Sequence, residues 1–257
     1  MFFDKQMTCR PSRRALARSA LAIGLILCLP AWATPRALVL NNTNKPPYST
    51  DAHTGYADLI ATEAFRRLGI ELRLVVLPPE RGLLNANAGI DDGELSRIAG
   101  LDAQYPNLIR VPEKFIDWEF VAFSKDPALA MDWPAIRGRA VGHIKGWKIY
   151  EQQLAGAAHV TTAVDDEQLF RLLDAGRVDT ALYERWLGLA LIKAQGLQGI
   201  RAHQPPLATR EMFIYLHKRH AALVPKLAEA LRALKKEGFY QQAYRKTLLP
   251  YIDTRAQ

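Results

Sequence analysis

The sequence predicts an α/β protein of two lobes about one cleft, and three observations carry that expectation. Residues 36–41, a helical stretch from Ala57 to Leu68 and residues 70–76 follow one another as strand, helix and strand, the order of a βαβ unit on a parallel sheet. The same succession begins again at residue 139. Two short segments about ninety residues apart, residues 89–97 and 176–185, each follow a helix and end in charged side chains. In open α/β sheets such strand ends face the crevice where ligands sit, so the two segments are expected to be opposite walls of one cleft.

The elements follow in order. Residues 36–41 form a short apolar strand, and Asn41 to Tyr48 form a polar loop in which Pro46 and Pro47 forbid regular pairing. Ala57, Ile60, Ala61, Ala64, Phe65 and Leu68 keep the spacing of an amphipathic helix, with Gly69 placed to end it. Ile70, Leu72, Leu74 and Val76 alternate with Glu71 and Arg73 as a half-buried strand. Pro78, Pro79, Glu80 and Arg81 open a helix over residues 82–88. Residues 107–110 and 120–123 read as extended, and residues 124–127 as a crossing segment. Residues 139–144 read as a strand, 148–154 as a helix, and Asp165 or Asp166 caps a helix bearing Leu169, Leu172 and Leu173. Residues 178–183 read as a strand, and 186–194 as a helix apolar on most faces and therefore buried. Residues 211–217 make the return crossing. Val224, Leu227, Ala228, Leu231 and Leu234 mark an amphipathic helix that ends at Gly238, and a short helix carries Phe239, Ala243 and Leu248.

The first 33 residues read as a secretory signal: a basic start, an apolar run from Ala20 to Leu29 and the small-x-small site Ala31-Trp32-Ala33. The exported chain is expected to begin near Thr34. That segment holds five of the 34 bases and one of the 26 acids, so the remainder carries 29 against 25, a net +4. A nucleic-acid partner loses its support once the basic charge is assigned to export. Both cysteines, Cys9 and Cys28, leave with the signal, so the core must hold the fold without a disulfide. No second apolar run reaches membrane-spanning length.

Several short patterns in order resemble bacterial extracellular solute-binding protein family 3, the periplasmic receptors of amino-acid-type ABC transporters. They are Pro46-Pro47-Tyr48, Gly55-Tyr56 with Asp58-Leu59 and Leu68-Gly69, Val141-Gly142 with Gly146, and Gly176-Arg177-Val178-Asp179 with an acid five residues later. The stretch from His220 to Gly238 with Tyr240 resembles the family's C-terminal helix. The resemblance implies a two-lobed, type II periplasmic-binding-protein-like fold with two crossing segments and a central ligand cleft. It implies lobe 1 from residues 34–124 with 211–257 and lobe 2 from residues 125–210. It also implies a small polar, zwitterionic ligand bound by a monomer without cofactor or metal, and an inner-membrane ABC permease as partner. In that site Arg97 takes a ligand carboxylate and Glu184 an ammonium, with Tyr48, Glu80, Arg81, Glu94, Gly146 and Trp147 around them. The chain departs from the common pattern: Asp92-Gly93-Glu94-Leu95-Ser96-Arg97 replaces a longer Thr-x-x-Arg segment, and Trp147 stands where a small hydroxyl residue is usual. It is similar to an outlying branch with Asp-Gly-Glu and Gly-Trp-Lys signatures.

Two other function classes share this fold: a periplasmic dehydratase acting on prephenate-like or arogenate substrates, and a ligand-sensing module for a membrane receptor. Glu94 and Glu184 are the candidate acids for the first. No Ser/His/Asp arrangement or phosphate loop accompanies them, and the expectation is a binder rather than an enzyme. His217-Lys218-Arg219-His220 lacks cysteine and an acid pair in sequence, and reads as a solvated charge run rather than a metal site.

Overall fold

A computed structural model describes residues 36–42 and 45–252. The expected export signal and both cysteines lie outside the described residues. The strands are β1 (Arg36–Asn42), β2 (Ile70–Val76), β3 (Gly93–Arg97), β4 (Leu108–Arg110), β5 (Ile116–Ser124), β6 (Val141–Ile144), β7 (Val160–Ala163), β8 (Thr180–Glu184), β9 (Arg201–Ala202) and β10 (Ala208–His217). The α-helices are α1 (Tyr56–Arg67), α2 (Pro79–Ala88), α3 (Trp133–Arg137), α4 (Lys148–Gln153), α5 (Asp166–Asp174), α6 (Arg185–Gln195), α7 (Val224–Lys236) and α8 (Phe239–Thr247).

The strands run in the order β2-β1-β3-β10-β5-β8-β6-β7, with β4 against β10 and β9 against β5. Parallel pairing holds β2-β1-β3 at one end and β8-β6-β7 at the other. Those are the two βαβ units that the repeated strand-helix-strand pattern predicts. The antiparallel strands β10 and β5 join them: β10 pairs β3 and β4 through residues 213–217 and β5 through residues 208–212, while β5 pairs β8 through residues 120–123. The described residues gather into one compact unit.

Helix faces follow the apolar spacing. In α1, Ala57, Ile60, Ala61, Ala64 and Phe65 are buried, and α7 brings Leu227, Ala228, Leu231 and Leu234 against the same core. Burying such a face removes roughly 1.5–3 kcal/mol of exposure cost per large side chain. Asp165 caps α5, its carboxylate accepting the Gln168 amide at 2.7 Å. A separate cluster of Phe120, Ile136, Tyr150, Leu154 and Leu182 forms under α4.

Three elements differ from the sequence expectation. Helix α2 begins at Pro79 rather than residue 82, because proline is tolerated at the first helical position, where no amide is needed. Strand β5 spans nine residues where four read as extended, since β10 and then β9 on one side and β8 on the other complete its ladder. The reading of residues 217–220 as a solvated charge run holds for the exposed Lys218 and Arg219 and not for His220, which is buried and meets Asp92, an acid distant in sequence, at 2.5 Å.

Candidate functional site

The loop after β1 is built on a buried acid. The Asp58 carboxylate accepts the Ser49 hydroxyl at 2.6 Å and the amides of Thr50 and Gly55 at 3.0 Å. At Gly55 a Cβ would fall 2.4 Å from the Tyr48 carbonyl oxygen, so only glycine lets α1 start this close to the loop. The result is a rigid seat for Tyr48, whose ring is fully buried.

From that seat Tyr48 donates its hydroxyl proton to Glu184 Oε1 at 2.9 Å. Glu184 closes β8 and caps α6, its Oε2 accepting the Leu187 amide at 2.9 Å, and the Glu119 amide approaches Oε1 at 3.3 Å. It is completely buried, and burial raises its carboxyl to about 7 against the pull of the Leu187 amide and the Tyr48 hydroxyl. Burial and the neighbouring Glu184 charge push the Tyr48 phenol far above its ordinary range, so it is a donor at any working pH. Beside this pair, Lys45 meets Asp166 at 2.9 Å and the Tyr183 hydroxyl donates to the same carboxylate at 2.9 Å.

Rings continue the wall. Trp118 stacks on Tyr48 (centroids 6.0 Å, 15°) and on Trp147 (6.3 Å, 27°), and Trp147 lies 5.8 Å from Tyr150 and 4.9 Å from Tyr183. Trp147 is half-buried and caps α4, while Gly146 before it has φ +89° and gives its amide to Glu151.

The charged stretch at β3 divides by function. Asp92, just before the strand, accepts the Val39 amide at 2.8 Å and bonds from Arg219 (2.6 Å) and His220, and Asp91 accepts the Asn85 side-chain amide at 3.1 Å. These acids hold the frame. Glu94 and Arg97 form the other group: Arg97 Nε donates to Glu94 Oε2 at 2.9 Å and Nη2 to the Pro79 carbonyl at 3.0 Å. Glu94 is 1% exposed and Arg97 14%. Burial lifts the Glu94 carboxyl above its usual range although Arg97 pulls it down. Among the described residues Glu94 Oε1 finds no donor, nor does the Oδ1 of its register neighbour Asn41. Glu80 and Arg81 are exposed on the first turn of α2, where Glu80 accepts the Tyr105 hydroxyl at 3.0 Å.

Of the residues singled out in the sequence, the structure therefore brings together Tyr48 with Glu184, Trp147 with the ring column, and Glu94 with Arg97. The hydrogen bonds of Arg97 go to Glu94 and Pro79, and those of Glu184 to Tyr48, Leu187 and Glu119. As site residues, sequence reading passed over Trp118, Lys45 and Tyr183, and read Asp166 only as a candidate helix cap. The alternation Ile116-Asp117-Trp118-Glu119-Phe120 is a strand signal that could have flagged Trp118; the others carry no local signal.

No family model matches the chain. A Shewanella oneidensis protein described as uncharacterized is 27% identical over 250 residues, 88% of this chain and 93% of its own length. Among solved structures, an amino acid ABC transporter substrate-binding protein from Streptococcus pneumoniae bound to L-arginine superposes with a TM-score of 0.65 at 16% identity, over 85% of this chain and 97% of that one. A histidine kinase sensor domain with similarity to periplasmic binding proteins superposes with a TM-score of 0.67 at 18% identity, over 83% and 96%. Such identities speak for fold alone, and no helix among the described residues is long and apolar enough to cross a membrane. The chain has the two-lobed α/β fold of type II periplasmic binding proteins.

Proposed function

We propose that this is an exported solute-binding protein that captures a small polar, amino-acid-like ligand by closure of two lobes and delivers it to an ABC-type importer. The observation that carries the reading is the reach of one loop across the fold. Lys45 and Tyr48, on the segment after β1, bond to Asp166 and Glu184 on the β8 side, the kind of contact a hinged receptor makes when shut. The lobes in this reading are residues 34–124 with 211–257 and residues 125–210, with β5 and β10 running from one to the other. Arg97 serves the ligand carboxylate, Glu184 is the acid for its cationic end, Glu94 lies beside Arg97, and Tyr48 and Trp147 cover the ligand's apolar part. The solved structures that share the fold support a binder over a dehydratase, since they are a substrate-binding protein and a sensor domain.

The test is thermal unfolding of the purified protein against amino acids, polyamines and small carboxylates, followed by calorimetry. A ligand at a hundred times its Kd stabilises the folded state by about 2.7 kcal/mol, a rise of roughly 5–10 °C for a chain of this size. No rise with any member of the panel overturns the reading, and turnover of a bound compound would make it an enzyme. The likeness to a histidine kinase sensor domain favours a second reading, a sensing module. Ligand binding without ligand-dependent uptake by cells that carry the protein decides for it.

A further inference from the structure

On the functional reading above, Arg97 receives the ligand's carboxylate; the surroundings of Arg97 say how it is held ready. The carboxyl of Glu94 lies against Gly82 in α2, so closely that a Cβ on Gly82 would fall 2.4 Å from Glu94 Oε1. Gly82 has no need of unusual backbone, being in the middle of a helix, where glycine is disfavoured by about 1 kcal/mol relative to alanine. Its use there is space. Asn41, opposite Glu94 in the β1–β3 ladder, donates its side-chain amide to the Gly82 carbonyl at 2.9 Å and so fixes the helix at this height. With the floor set, Glu94 Oε2 meets Arg97 Nε, and the Pro79 carbonyl three residues before Gly82 meets Nη2. Two edges of the guanidinium are pinned by one strand and one helix, and among the described residues no hydrogen bond engages Nη1. All of these residues belong to the β1–β3 and α2 unit.

We propose that Gly82 and Glu94 are positioning residues that pre-orient Arg97 as the receptor for a carboxylate-bearing ligand, so that the carboxylate is taken by this unit before the lobes close. Preorganisation spares the binding step the ordering of a long side chain. The glycine is the control point, because its methyl variant displaces Glu94 without changing any charge.

The test compares the parent, Gly82→Ala and the double variant Gly82→Ala/Glu94→Asp, in which the shorter acid gives the added methyl its room. Each is titrated calorimetrically with the standard L-amino acids and with the α-carboxamides of those that bind, and the Arg97 Nε–H signal is followed by NMR without ligand. The expected result is a sharp, slowly exchanging Arg97 signal in the parent that is lost in Gly82→Ala and regained in the double variant. With it, Gly82→Ala loses about tenfold or more in affinity for the carboxylate probe and little for its amide, and the double variant recovers. If Gly82→Ala keeps the full preference for carboxylate over amide, or loses both alike together with stability, the inference is overturned while the functional reading stands. If the parent binds no amino acid at all, the functional reading falls and takes the inference with it.

Discussion

Glu94 and Glu184 are both buried carboxylates near strand ends, ninety residues apart, and burial pushes both toward protonation. Their partners differ in kind. Glu184 is met by neutral donors: the amides of Leu187 and Glu119 and the hydroxyl of Tyr48. Glu94 is met by one cation, Arg97, with the neutral side chain of Asn41 beside it. An acid held by dipoles can gain or lose its proton with modest disturbance. An acid held by a buried cation depends on that one partner, and the cation depends on it in turn.

The largest test of this contrast is to remove the cation. Arg97→Met should destabilise the protein by about 3–5 kcal/mol at pH 8, because Glu94 is then a buried charge with no counter-ion. The loss should shrink toward pH 5: a carboxyl with a raised pKa holds its proton more tightly folded than unfolded, so its penalty grows as pH rises. Urea denaturation at both pH values checks it, and an equal loss at both would break the distinction.

Next comes the other acid. With its carboxyl raised to about 7 in the folded state, Glu184 lets stability fall by about 3 kcal/mol as pH rises from the unfolded carboxylate range through 7. Glu184→Gln should remove that slope at the price of about 1 kcal/mol for the weaker cap on α6. Parallel pH profiles of parent and variant would show that Glu184 titrates elsewhere.

Tyr48→Phe removes one of Glu184's neutral donors and should cost about 1–2 kcal/mol, less than the loss of Arg97, since the backbone amides remain. It should also raise the Glu184 pKa further, visible by carbon NMR of the carboxyl. The smallest effect is expected at Lys45→Ala. Its ion pair with Asp166 is 59% exposed on the lysine side, so less than about 1 kcal/mol should be lost, and less still at high salt. A loss as large as that of Arg97→Met would mean that exposure does not separate the two pairs.

Much of the fold was legible because it is written in local periodicity. The 3.6-residue spacing in α1 and α7, the cap at Asp165 and the glycine after α1 are local signals, and the structure keeps them. The site was legible only in pieces. Residues 89–97 stood out as a dense run of charge, yet Asp92 serves Arg219 and His220, far along the chain, and only Glu94 and Arg97 make the buried pair. Charge density marks a segment and does not say which way each side chain faces.

The sequence by itself determined the succession of strands and helices and the two βαβ units, because hydrophobic spacing and capping act within a few residues. Only the tertiary structure decided the partners. Tyr48 meets Glu184 across 136 positions and Lys45 meets Asp166 across 121, while Asp92 finds Arg219 across 127. A buried polar group must find a donor or counter-charge wherever the packed core places one, and that choice is made in space rather than along the chain.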